Sequence, residues 1–351
     1  MKIAYLFPGQ GSQYHGMGKE LYDKFRAARR VFRAAGTVLG YSMESLCFEE
    51  DDRINLTEYT QPAIVTVSCA ALAVVREQLG PDLAPCAVAG LSLGEYSALV
   101  CARAMGLGRA VALVRRRGRF MQEACPPGAG AMATVLGLGR DTVLEVCREA
   151  QAQTAGVVEP ANFNCPGQIV ISGDAKAVEL ASDIAIARGA RRVIKLNVSG
   201  PFHSSLLQQA GEHLRDELDR VRIARPRIPV YSNVTACPPA VPAPRALREL
   251  LVRQVASPVL WEQTMVNMAR AGVNTFIEIG PGRTLTSLVK KTLPDATAVN
   301  VEDLSSLDAL RDMVSRARAL RAAAASAPAS ALATTGIATA GAGAGAGGGG
   351  W

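Results

Sequence analysis

Gly90, Ser92 and Gly94 form a G-x-S-x-G pattern where a β-like run, 86–90, gives way to a helical stretch. The spacing suits a nucleophile. Glycines allow a sharp strand-to-helix turn that lifts the Ser92 hydroxyl clear of the backbone, and the N–H of Leu93 then points at the position an oxyanion would take. A Gly-rich turn that merely packs closely would show the same letters, but the strand before and the helix after make catalysis the stronger reading.

A serine hydroxyl needs a base, and with three histidines in the chain the base can be sought by elimination. His213 lies in a charged helical stretch and reads as a solvated surface residue. His15 lies in a Gly-rich loop, compatible with either an exposed position or a site. His203 follows a β-like run and the Gly200-Pro201 turn and opens the next helix, where α/β enzymes present catalytic groups. It is the expected base. No acidic residue nearby reads as a third triad member, so its Nδ1 is expected to be held by a backbone carbonyl or an amide side chain.

Arg117 is out of place in its own helix. At about 100° per residue, Ala110, Leu113, Val114, Met121 and Ala124 share one face with Arg117 at its centre, whereas Arg115, Arg116, Arg119 and Glu123 point away. A buried guanidinium needs an anion. Periodicity leaves two readings equally open, an internal salt bridge and a bidentate clamp on a substrate carboxylate.

The elements that must position these residues read as β-like runs at 2–7, 86–90, 228–233, 275–280 and 298–301 between amphipathic helices, the pattern of an α/β layer fold with a largely parallel sheet. Residues 128–198 differ. A strand at 131–138, a helix capped by Asp141 and running to about Ala152, strands at 157–164 and 168–172, a helix at 175–188 and a strand at 192–197 give the order β-α-β-β-α-β of a ferredoxin-like unit. The expected organisation is a large α/β domain, 1–127 and 199–320, interrupted by a small one, 128–198. The Ala/Gly-rich residues 321–351 lack the large apolar side chains that would offset ordering entropy, and are expected to form a flexible tail.

Composition narrows the partners. The 38 Lys+Arg exceed the 31 Asp+Glu by +7, spread along the chain, and 5% aromatic content is thin for base stacking, so an acidic protein or a phosphorylated small molecule is a better expectation than nucleic acid. The eight cysteines are far apart, with no C-x-x-C pair, which argues against disulfides and a zinc site. No apolar run reads as a membrane span or a signal-peptide core, so a cytoplasmic protein is expected.

Phe7-Pro8-Gly9-Gln10-Gly11-Ser12-Gln13, the Ser92 turn, Arg117-Gly118-Arg119-Phe120-Met121-Gln122, the run from Asn162 to Gln168 and Gly280-Pro281-Gly282 taken together resemble the malonyl-CoA:acyl carrier protein transacylases, discrete relatives of acyltransferase domains in fatty-acid and polyketide synthases. The resemblance covers about residues 1–315 and not the tail. It implies an α/β-hydrolase-like large domain with a ferredoxin-like insert. It also implies that Ser92 carries malonyl as an ester, that His203 is its partner, that the N–H groups of Gln10 and Leu93 form the oxyanion hole, that Arg117 binds the malonate carboxylate, and that the main chain of Gln254 orients His203. Malonyl-CoA would be a substrate with no permanently bound cofactor and no metal, and the phosphopantetheine would arrive on an acyl carrier protein. A monomer acting in trans is expected.

Two positions refine this resemblance. Many members have His before the nucleophile where this chain has Leu91, a form often met in polyketide-serving transacylases. Phe202 goes with malonyl, and Ser at that place with methylmalonyl, in related domains; the ring would fill the space of an α-methyl group, although simple wall packing is the alternative. For carrier docking, Arg29, Arg30, Arg33, Arg191 and Arg192 are candidates. Two rivals share some of these signals. A thioesterase or other serine hydrolase has no use for a carboxylate clamp, and a nucleotide-binding module at Gly9–Ser12 lacks the Lys-Ser/Thr pair and the full G-x-G-x-x-G spacing.

Overall fold

The computed structural model describes residues 1–126, 128–198 and 200–326, without the side chains of Asp82 and 320–326. It divides into a unit Met1–Leu310 and a second, Arg311–Trp351, of which residues 311–326 are described and are helical. Among the described residues nine strands occur: β1 (Ile3–Phe7), β2 (Ala87–Gly90), β3 (Gly130–Leu136), β4 (Val158–Cys165), β5 (Gln168–Asp174), β6 (Arg192–Lys195), β7 (Val230–Tyr231), β8 (Thr275–Ile279) and β9 (Thr297–Val301). They form two sheets. Strands β7-β2-β1-β8-β9 make an all-parallel sheet, and β4-β5-β3-β6 make a separate antiparallel one.

Burial explains the difference between the sheets. Strand β1, Ile-Ala-Tyr-Leu-Phe, is buried at all five positions, as a central parallel strand covered on both faces must be. Ala4, Leu6, Ala87, Ala89 and Phe276 share an apolar cluster with Trp261, Met265 and Leu288. The antiparallel sheet has a cluster of its own, in which Val135 and Ile171 meet Val143, Val146, Ala177 and Ala181 of its two helices. Strand β4 meets the segment before the Trp261–Arg270 helix where Phe163 donates to the carbonyl of Val259 and Val259 to that of Ala161, at 2.9 and 2.8 Å.

Three expectations are corrected. The helix Arg140–Thr154 starts after Gly139 without a side-chain cap, and Asp141 sits inside its first turn, where its charge favours the helix dipole instead. The helix Leu304–Ser326 runs six residues into the expected tail, because its Ala322–Ala325 segment is the best of helix formers; residues 327–351 of that expected tail lie outside the described residues. The 23-residue helix Thr57–Leu79 contains an 18-residue window of mean hydropathy 1.3, long and apolar enough to cross a membrane, but 72% of that window is buried inside the protein. It serves as a core helix. The expected junctions of the small unit fall at Pro127 and Ser199, which lie outside the described residues.

Candidate active site

The parallel register aligns Phe7 with Gly90, so the loop after β1, with Gln10, and the turn after β2, with Ser92, emerge side by side at the carboxyl edge of the sheet. The turn is too tight for side chains at its glycines. A Cβ on Gly90 would stand 1.8 Å from the carbonyl carbon of Gly94, and one on Gly94 would stand 2.1 Å from the Phe7 carbonyl oxygen. Ser92 itself has φ +50°, a left-handed conformation that costs a non-glycine residue about 1–3 kcal/mol and persists only where its surroundings enforce it. Here Asn233 enforces it. The Asn233 Oδ1 accepts from the Ser92 N–H at 2.6 Å, and its Nδ2 donates to the Gly90 carbonyl at 2.7 Å.

His203, with φ +62°, stands over this turn. Its Nε2 is 2.7 Å from the Ser92 Oγ, and its Nδ1 is 2.9 Å from the main-chain oxygen of Gln254. A carbonyl only accepts, so Nδ1 carries the hydrogen and Nε2 presents a lone pair to the serine hydroxyl. Burial, and the nearby Arg117 charge, push the imidazole pKa down to about 4, which keeps it neutral at neutral pH. The other two histidines stand apart from the site. His15 is exposed with Nδ1 2.7 Å from the Glu49 carbonyl oxygen, and His213 is exposed against Phe120.

Arg117 is 1% exposed. Its Nη1 donates to the Gln61 Oε1 at 2.9 Å, and its Nη2 donates to the Gln254 Oε1 at 3.2 Å and to the Ser92 Oγ at 3.1 Å. All three acceptors are neutral, so the internal salt bridge that periodicity left open is not what holds it. Burial lowers its pKa. Arg115, Arg116 and Arg119 point away, pairing with Glu58, Glu217 and Glu123.

The structure thus brings Ser92, His203, Arg117 and Gln254 into one hydrogen-bonded group. Among the described residues, neither the Leu93 nor the Gln10 backbone N–H donates to a protein acceptor, and the Gln10 side chain is tied to Thr57 at 3.2 Å. Phe202 is buried with its ring beside Gly200. Leu91 packs against the Trp261 cluster, which gives an apolar side chain a place where a histidine would be buried beside hydrocarbon. Arg29 spends its Nη1 on the carbonyls of Tyr22 and Asp23 and is a poor docking group, whereas Arg33, Arg191 and Arg192 are exposed.

Sequence reasoning overlooked Gln61, Glu95 and Asn233. Gln61 is fully buried in an apolar helix and Glu95 follows the nucleophile by three residues, in the first turn of its helix. Those positions were signals: a polar group on a buried face and a carboxylate facing back at the turn. Glu95 accepts from the Gln254 Nε2 at 2.7 Å and from the Asn233 N–H at 3.1 Å.

The chain is similar to known proteins over most of its length. Residues 4–327 match the acyl transferase domain family. The malonyl CoA-acyl carrier protein transacylase of Bacillus subtilis (strain 168) is 46% identical over 309 residues, 88% of this chain and 95% of its own. That of Escherichia coli (strain K12) is 40% identical over 313 residues, covering 89% and 99%. Among solved structures, the transacylase of Clostridium perfringens is similar with a TM-score of 0.85 at 43% identity, covering 93% of this chain and 100% of that one. A malonyl-transacylase in complex with a type II PKS acyl-carrier protein gives 0.84 at 40% identity, covering 88% and 98%. The chain belongs to the acyl transferase domain family and, within it, to the malonyl CoA-acyl carrier protein transacylases.

Proposed function

We propose that the chain moves a malonyl group from malonyl-CoA to the phosphopantetheine thiol of an acyl carrier protein by a ping-pong sequence through an ester on Ser92. The observation that carries this reading is Arg117: a buried guanidinium with neutral partners, 3.1 Å from the candidate nucleophile. Burying such a charge costs several kcal/mol unless an anion offsets it. The free carboxylate of a malonyl group esterified at the Ser92 Oγ lies one methylene beyond the ester carbon, within reach of that guanidinium.

In the first half-reaction the neutral His203 Nε2 takes the Ser92 proton as Oγ attacks the thioester carbon. The developing oxyanion is held by the N–H groups of Gln10 and Leu93. The C–S bond breaks, and His203 returns its proton to the departing CoA thiolate. The second half reverses these steps, with the carrier's phosphopantetheine thiol attacking the Ser92 ester. The Gln254 carbonyl stabilises the imidazolium that forms transiently, in the place an aspartate takes in other triads. Acyl carrier protein as acceptor is supported by the names of the transacylase relatives and by the solved complex with a type II PKS acyl-carrier protein.

The same reading assigns residues 1–127 and 199–320 to an α/β-hydrolase-like core and 128–198 to a ferredoxin-like insert, in a chain acting as a cytoplasmic monomer. Support for the insert comes from its strand order, β4-β5-β3-β6, in which the two inner strands are the first and third of the unit.

Intact-mass measurement with malonyl-, methylmalonyl- and acetyl-CoA, with and without carrier protein, tests the reaction. Malonyl ester on the enzyme should form from malonyl-CoA and disappear onto the carrier; discharge to water at the same rate with or without carrier would indicate a hydrolase. In the same assay Phe202→Ala should raise methylmalonyl use relative to malonyl by roughly 10- to 100-fold, the ~1–3 kcal/mol worth of one methyl group against a pocket wall. An unchanged ratio would remove Phe202 from the wall. Transfer to an acidic carrier should also slow as salt rises from about 0.05 to 0.5 M, because exposed arginines act through screened fields. A flat salt profile would rule out electrostatic docking.

A further inference from the structure

The geometry points to Glu95 as a positioning residue for malonyl selection: one oxygen of its buried carboxylate sets which way the Gln254 amide faces, and so which atom Gln254 presents to Arg117. This rests on the reading of Arg117 as the malonyl clamp. The mechanism above gives Glu95 no task, although it is 3% exposed and lies one helical turn from the nucleophile.

Gln254 is bonded to His203, Ser92, Arg117 and Glu95. Its main-chain oxygen accepts from His203, its Nε2 donates to the Ser92 carbonyl at 3.0 Å and to the Glu95 Oε2 at 2.7 Å, and its Oε1 accepts from the Arg117 Nη2 at 3.2 Å. The two ends of a side-chain amide have nearly the same shape, so neighbours decide its orientation. Arg117 offers only donors, while the Ser92 carbonyl, the Glu95 carboxylate and, at 3.4 Å, the Asn233 Oδ1 offer acceptors. Of these, Glu95 makes the shortest contact and is the only charged one. The same Oε2 accepts from the Asn233 N–H, so Glu95 ties Gln254 to the residue that holds the Ser92 turn. Burial pushes its pKa up to about 7, against the pull of those donors and of Arg117.

Without that acceptor the amide can turn over and set its NH2 against Arg117, donor against donor, which drives the guanidinium away from Ser92. The Ser92–His203 pair would survive, because it depends on the Gln254 main chain. The expected signature is therefore a loss of selection, not of chemistry.

Glu95→Met keeps the volume and removes the acceptor; Glu95→Gln keeps an acceptor oxygen. With ester formation followed by intact mass for malonyl- and acetyl-CoA, Glu95→Met should lower the malonyl-to-acetyl ratio of kcat/KM about tenfold, while acetyl use stays within about threefold of the parent. Glu95→Gln should hold the ratio within about threefold, and Gln254→Leu should reproduce the fall without adding to it in the double variant. An unchanged ratio in folded Glu95→Met, an equal loss for both substrates, or multiplicative losses in the double variant would overturn the proposal. Should Glu95→Met fail to fold, a retained ratio in Gln254→Leu, or a tenfold loss in Glu95→Gln, would overturn it as well. A parent enzyme with no malonyl preference would instead refute the clamp itself.

Discussion

Ser92→Ala should leave no detectable malonyl-enzyme when the chain is incubated with labelled malonyl-CoA, while the protein stays folded. Alanine removes the atom that would form the ester, and among the described residues no second hydroxyl shares the His203 contact at 2.7 Å. Its methyl group fits where the hydroxymethyl stood, and the backbone turn, held by Asn233 at both Gly90 and Ser92, does not depend on the Oγ. Persistent labelling would sink the assignment of the nucleophile. The same assay probes the base. His203→Ala should cut the labelling rate by about 10³-fold or more, because the hydroxyl then keeps its proton. In the parent enzyme the base is free above its depressed pKa of about 4, so labelling should hold its plateau down to about pH 5 and fall below it. A limb near the ordinary histidine value would mean that the imidazole is more solvated than its 4% exposure implies. Stability carries the same sign. From the unfolded histidine value of about 6.5 down to about 4, the unfolded chain binds a proton that the folded one refuses, so this group weakens the fold as pH drops through that window. Glu95 acts oppositely. Its folded value of about 7 lies above the unfolded one, so its contribution weakens as pH rises from about 4.5 to 7. Labelling rates rather than melting curves should therefore isolate His203.

What could be read ahead of the structure was local or periodic. The Ser92 turn was legible because glycine spacing and the switch from strand to helix are encoded within ten residues. Arg117 was legible because one face of a 17-residue helix is otherwise apolar. The β-α-β-β-α-β order of the small unit was legible because each strand pairs through its own short turns or helices. Contacts that cross the chain were not. Asn233 and Glu95 lie 138 residues apart, and nothing near either one signals the other. The expected strand at 228–233 is only Val230–Tyr231, since Pro229 has no N–H to give the ladder and Asn233 leaves it for Gly90 and Glu95. The Thr57–Leu79 helix escaped notice because Thr60, Gln61, Thr66 and Ser68 interrupt its apolar letters; the fold buries all four, three of them with bonds to nearby groups.

Arg117→Ala should lower kcat/KM for malonyl-CoA by about 10²-fold and leave acetyl-CoA use nearly unchanged or improved. Removing a bidentate, charge-assisted pair of hydrogen bonds from a buried site costs about 3 kcal/mol, close to two factors of ten. Acetyl has no carboxylate, so it gains nothing from the guanidinium and now meets a less polar cavity. Part of the loss arises in the protein, since Gln61 and Gln254 each give up their Arg117 partner. Arg117→Lys separates the effects. A lysine keeps the charge but not the planar fork that reaches Gln61, Gln254 and Ser92 together, so selection should be only partly retained. The charge has a second reporter. Arg117 is one of the two causes that depress the His203 pKa, so Arg117→Ala should move the acid limb of acylation to higher pH, and Arg117→Lys should move it less. An unchanged malonyl-to-acetyl ratio in Arg117→Ala would refute the clamp. A changed ratio with an unmoved acid limb would keep the clamp but place the positive charge farther from His203 than the 3.1 Å Arg117–Ser92 contact requires.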